Sequence, residues 1–255
     1  MVVVRKHEDA AAAKRPARTS AGLTFDVTPY FGITVADAGA AHPDIGVLHP
    51  VAVRIDQRPD TVNAPHFHQA NQFQVFVGGD GTLGKHRVDG VAIHYAQAYS
   101  PYGPLCSGER GLSYFVLRNS WDPIAQFMPE KRALLKASGR RPRAAISATL
   151  DPARAPLGAD VTCTPALEPA SDGLAAWRIG APAGTRFAGP DPASGGGQFW
   201  VVLAGSDRIG NDTLTPMSCA FISPDETPHA GEAGPAGLDV LVLQFPRLDG
   251  AHYAT

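Results

Sequence analysis

Short runs of β-branched and aromatic residues recur along the chain, each closed by Gly, Pro, Asp or Asn. Four such runs lie in the first half: VLHPVAVRI, NQFQVFVGG, GVAIHYA and GLSYFVLR. Four more lie in the second: AAWRIGA, GQFWVVLAG, SCAFIS and GLDVLVLQF. Strands of this length with regular turn signals predict a sandwich or barrel. One segment reads as helix. Pro129 suits a first helical position, EKRALLKAS follows, and Gly139 can supply a left-handed C-terminal cap. With the basic stretch RRPRAA after it, the region from 120 to about 150 reads as a connector between two β-rich blocks.

The blocks repeat each other. Gln72-Phe73 matches Gln198-Phe199, Gly79 matches Gly205 and Gly84 matches Gly210, each pair 126 residues apart. Gly108, Gly111 and Leu112 match Gly234, Gly237 and Leu238 at the same offset. Pro101 matches Pro224 and Cys106 matches His229 at an offset of 123, so a three-residue gap in one loop reconciles the two. An internal duplication is the simplest source of this pattern. The expected organisation is a disordered arm over 1–21, a barrel over 22–120, a connector with a helix over 121–158 and a second barrel over 159–255.

Composition narrows the class. At 255 residues, 44% of them apolar, the chain can bury two cores. Its 27 Gly and 23 Pro suit many turns rather than long helices. A net charge of -2 creates no field favouring nucleic acid or an anionic membrane. Cys106, Cys163 and Cys219 are too few and too scattered for a disulfide framework. The absence of a long apolar run, and the acidic Glu8 and Asp9 near the start, predict a cytoplasmic protein without a membrane span or secretory signal.

The segment PHFHQANQFQVFVGG resembles the first motif of the cupin superfamily. His66 and His68 fill its two His positions, Gln72 stands where Glu is usual, and Gly79 falls at the motif's glycine. PYGPLC resembles the core of the second motif, with Pro101 and Gly103 in place and Cys106 at the His position. In the second block PDETPH keeps Pro224 and His229, whereas Pro192 and Ser194 replace the His pair and Gln198 again takes the Glu place. The resemblance covers most of 25–118 and 160–246. It implies an all-β fold of two tandem antiparallel jelly-roll barrels joined by a short helical connector, that is, a bicupin.

It also implies a metal pocket in the first barrel. A His-x-His pair on a strand puts both imidazoles on one face. With Gln72 as a neutral oxygen and Cys106 as a thiolate, His66 and His68 would complete a set carrying one negative charge. Such a set suits one divalent transition metal: iron, zinc, copper or nickel. Gln72 reads equally as a hydrogen-bonding core residue, and Cys106 as a small buried apolar one. His94, Tyr99 and Tyr102 are candidates for lining the barrel mouth and orienting a substrate. The second pocket, with His229 alone, is expected to hold no metal; that barrel would pack on the first or form a homodimer, with Trp200 in a core or an interface. The implied functions are a metal-dependent oxidoreductase of dioxygenase type acting on a small organic substrate, a non-catalytic small-molecule-binding bicupin, and a storage or scaffold protein.

Overall fold

A computed structural model describes residues 1–34, 41–151 and 159–247. The end of the expected connector (152–158) and the end of the expected second barrel (248–255) lie outside them. The described residues are nearly all β, 52% strand and 6% helix, with antiparallel sheets. The chain divides into two compact units, one built on 14–151 and the other on 1–13 together with 152–248.

The 14–151 unit holds a nine-stranded sheet. Its central strands are Gln72–Leu83, Leu105–Ser120 and Leu48–Gln57, paired side by side in that order. Ala92–Ala96 and Ala144–Ile146 extend it on one side, Thr24–Phe31 and Arg15–Arg18 on the other. Period-two alternation sorts the side chains. On Leu105–Ser120, Leu112, Tyr114 and Val116 enter one buried cluster with Phe76 and Leu105. Phe115 and Leu117 point the other way, where Phe115 meets Tyr30 edge-on with ring centroids 5.1 Å apart. Burial on both faces explains why these strands read as continuous apolar runs.

The second unit contains a six-stranded sheet ordered Val2–Arg5, Cys219–Ile222, Gln198–Gly205, Leu238–Gln244, Ala175–Ala181 and Thr162–Leu167. Trp200 is fully buried in its core.

The repeated glycines do the same work in both units. Gly79 has φ +81°, and a Cβ there would lie 2.1 Å from the carbonyl oxygen of Gly111. Gly205 has φ +70°, and its Cβ would lie 1.9 Å from that of Gly237. Both positions combine a left-handed backbone with a strand crossing too close for any side chain.

Two expectations need correction. The arm over 1–21 is ordered: Val2–Arg5 is a strand antiparallel to Cys219–Ile222, His7–Ala11 is a short helix, and Arg15–Arg18 is an edge strand on Thr24–Phe31. The physical reason is the β-branched run Val2-Val3-Val4, with Val4 packed on the second unit's core and Ala10 fully buried. The connector helix spans only Arg132–Ala137 and so begins after Pro129; Gly139 does take the left-handed conformation beyond its end, at φ +62°.

Candidate functional site

The inward face of the 14–151 unit surrounds a cavity of about 310 Å³. Its walls are largely apolar, with Phe25, Val27, Val53, Ile55, Val116 and Phe127 among them. One region is polar. His66 and His68 reach it from the short strand at His66–Phe67 and the residue after it, Gln72 and Gln74 from the strand Gln72–Leu83, and Arg118 from Leu105–Ser120 directly opposite Gln72 in register. Backbone bonds between His66 and Tyr102 in both directions, 3.1 and 3.0 Å, seat Tyr102 beside the histidine. The chain beyond Ser120 turns back, so that Gln126–Phe127 pairs with His66–Phe67 and Asp122 comes under His68.

These polar groups form one ordered chain of hydrogen bonds. His66 Nδ1 lies 2.7 Å from the carbonyl oxygen of Ala64, which can only accept, so the proton sits on Nδ1. Nε2 then accepts from the Tyr102 hydroxyl at 2.9 Å. The Tyr102 oxygen accepts from Gln72 Nε2 at 2.7 Å. Gln72 Oε1 accepts from Arg118 Nε at 2.9 Å and Nη2 at 2.7 Å. His68 donates through Nδ1 to Asp122 Oδ2 at 2.7 Å. Arg118 Nη2 lies 3.2 and 3.3 Å from the two ring nitrogens of His68. Near-equal distances put it over the ring face rather than in line with a lone pair.

Burial sets the charge states. Desolvation, helped by neighbouring His68, pushes His66 down to about 3. Burial first, and then the Arg118 charge, hold His68 below its ordinary value against the pull of Asp122. Burial would raise Asp122, but His68, Arg118 and the hydrogen bonds it accepts outweigh this and keep it low. Tyr102 is raised by burial and stays a phenol. The interior thus presents neutral imidazoles, one guanidinium and one carboxylate.

The structure brings together His66, His68, Gln72 and Tyr102 of the expected residues. His94 is buried and binds Gln74 Oε1 through Nδ1 at 2.9 Å; it packs on Tyr102 from the far side, and burial pushes it down to about 4. Tyr99 binds Gln69 at 2.9 Å with Arg140 stacked 5.3 Å from its ring centre, outside the residues lining the cavity. Cys106 does not join the histidines. Its strand neighbour Leu105 is in the core, so by alternation Cys106 faces the other side, and it is not among the lining residues. Counting along the motif placed it at the His position; the strand's phase turns it away.

That decides whether the donors fit a transition ion. The lone pair of His66 Nε2 is spent on Tyr102 and the Gln72 oxygen on Arg118. A guanidinium stands within the set and repels a second cation. Among the described residues no three His, Cys, Asp or Glu side chains are grouped to hold an ion. As arranged, the residues do not fit a divalent metal.

Arg118 and Asp122 are functional candidates that motif counting passes over. Arg118 was visible in the phase of its strand, since Leu112, Tyr114 and Val116 are inward and Arg118 is next in step. Asp122 had no such signal, because its place depends on the chain folding back. Two more cations, Arg15 and Arg18, line the cavity while exposed, and so stand at its mouth.

In the second unit Gln198 bonds Gln244 Oε1 at 2.9 Å and Trp200 donates to Gln198 Oε1 at 3.2 Å. His229 Nε2 pairs with Asp207 Oδ2 at 2.9 Å, and its ring meets Trp200 edge-on.

No family profile matches the chain, and no curated protein matches it in sequence. Solved structures do match in shape. The pirin YhhW from Escherichia coli, in complex with nickel(II), superposes with a TM-score of 0.56 at 15% identity, covering 97% of this chain and 100% of its own. HEPD from Streptomyces albus, with 2-hydroxyethylphosphonate and Fe(II) bound, gives 0.57 at 11%, covering 96% and 76%. Oxalate decarboxylase from Bacillus subtilis, which has Mn(II) centres, gives 0.54 at 9%, covering 97% and 78%. These are cupin-fold proteins, and the likeness establishes the fold of this chain: an all-β cupin jelly roll.

Proposed function

We propose that the 14–151 unit is a small-molecule-binding barrel whose site works through its own side chains rather than through a bound ion. The observation that carries this is the cavity itself. It has the size and apolar lining of a ligand pocket, and its few inward polar groups already satisfy one another in a fixed order. Such a pocket is preorganised: walls bury the body of a ligand, and Arg118 and His68 offer polar anchors without rearrangement. The second unit has a pocket of a different kind, lined by Arg186, Asp207, Arg208 and His229, while its Gln198 is tied to Gln244 and Trp200.

A second reading, a metal-dependent oxidoreductase of dioxygenase type, draws support from one observation: His66 and His68 do face one cavity. Elemental analysis separates the two. Purified protein should carry no stoichiometric transition metal, and should take up none from zinc, iron(II), copper or nickel. Meanwhile apolar small molecules should raise its melting temperature, and Val53→Trp, which fills the cavity, should abolish that rise. A stoichiometric ion that disappears in His66→Ala, with oxygen consumption, would install the oxidoreductase reading instead.

A further inference from the structure

Among the described residues, four charged side chains line the cavity, Arg15, Arg18, Arg118 and Asp122, and three of them are cationic. The carboxylate among them is committed. Asp122 Oδ2 takes His68 Nδ1 at 2.7 Å, and Oδ1 takes the backbone N–H groups of Gln69 at 2.7 Å and Ala70 at 3.3 Å. Its nearest approach to Arg118 is 3.9 Å, from Nη1, beyond hydrogen-bond length. Arg118 Nε and Nη2 instead end on a neutral amide oxygen. The guanidinium is therefore largely buried, its side chain 15% exposed, and its nearest anion among the described residues, Asp122, stands 3.9 Å from Nη1 without a hydrogen bond. Holding a cation this way costs stability unless something offsets it.

The second unit serves as an internal control. Arg118 pairs in register with Gln72, and Gln244, 126 residues further on, pairs in register with Gln198. There the position is a neutral amide that donates to the Gly173 carbonyl at 2.7 Å and to Ser194 Oγ at 3.0 Å. A Gln at this place meets the needs of the fold. At this register position the positive charge is carried by the 14–151 unit alone.

We propose that the cavity binds an organic monocarboxylate, its carboxylate on the Nη1 side of Arg118 and its apolar body against Val53, Ile55, Val116, Phe25 and Phe127. A planar carboxylate matches the guanidinium edge. Arg15 and Arg18 at the mouth draw the anion inward. This rests on the ligand-pocket reading above and adds the charge and class of the ligand.

The test uses the full chain and matched probes: the series from benzoate to 4-phenylbutyrate, each against its carboxamide, by titration calorimetry. The acids should bind about tenfold or more tightly than their amides, the scale of a hydrogen bond to a charged group. Arg118→Gln recreates the Gln–Gln pair with which the other unit folds; it should fold and erase the preference while amide binding persists. Arg118→Lys should retain part of it, which guards against a folding defect in the first variant. Equal affinity of acid and amide in the wild type, or a preference that survives in Arg118→Gln, overturns the monocarboxylate assignment and leaves a pocket for neutral ligands. If no acid and no amide in the series binds, the pocket reading falls with it.

Discussion

At the scale of single residues, the interior depends on histidines staying neutral. His66 is pushed down to about 3 and His94 to about 4, both chiefly by burial. An unfolded chain titrates them near about 6.5, so between these values the unfolded state binds more protons. The stability gained from folding them neutral is fully present above about pH 6.5. It is lost as pH falls through the window towards about 4 and then about 3. The melting temperature should therefore drop steadily from pH 7 to pH 4; a flat profile across that range would show that these rings are not buried neutral. Gln72→Glu makes a second residue-scale test. It places a carboxylate where Arg118 already donates at 2.7 and 2.9 Å, so the guanidinium acquires an internal counter-ion. Carboxylate probes should then lose about tenfold or more in affinity, and unchanged probe affinity would count against Arg118 as the anchor. Of these residues, the His pair and Gln72 were legible because a period-two pattern fixes their face. Cys106 was misplaced because a motif position fixes sequence spacing and not the phase of a strand. Asp122 was invisible because its partner His68 lies 54 residues away.

Among elements, the glycine that closes each strand crossing is the feature most sharply written in the sequence. Gly79 and Gly205 stood out there as equivalent positions, and the structure gives each the same neighbour and the same sign of φ. A methyl group at Gly79 would meet backbone on the adjacent strand, which cannot yield as a flexible side chain would. Gly79→Ala should therefore cost more than about 2 kcal/mol, combining left-handed strain with a displaced strand. Gly90 makes the control: its φ is +97° but nothing lies within 4 Å of its Cβ position. Gly90→Ala should cost about 1 kcal/mol from backbone strain alone. Urea denaturation of both variants measures the difference, and similar losses at the two sites would refute the crossing as the cause. The helix was legible in its place and in its Gly139 terminus. Its start was not, because propensity after Pro129 does not reveal which turn the tertiary fold retains.

For the molecule as a whole, the informative segment is the one sequence reasoning set aside. Residues 1–21 are polar and Ala-rich on average, and averaging hid a four-residue strand. Val2–Arg5 covers the edge of Cys219–Ile222, in register from Val2 opposite Ile222 to Arg5 opposite Cys219. His7 N–H donates to Ser218 Oγ at 3.1 Å and Ala10 is fully buried. This segment belongs to the unit formed by the C-terminal half, while Lys14–Asp151 belongs to the other. Deleting residues 1–13 would strip one full ladder of backbone bonds from Cys219–Ile222 and leave it an exposed, apolar edge. The loss should be local before it is global. Amide exchange should accelerate at Cys219–Ile222 and then at Gln198–Gly205, which pairs with it, while the strands Gln72–Leu83 and Leu105–Ser120 around the cavity keep their protection. The truncated chain should also aggregate more readily, and Val4→Asp should reproduce a milder form of both effects by placing a charge against the core that Val4 packs on. Unchanged exchange at Cys219–Ile222 after the deletion would mean that the first strand is not held there in solution, and would return the segment to the disordered arm that the sequence suggests.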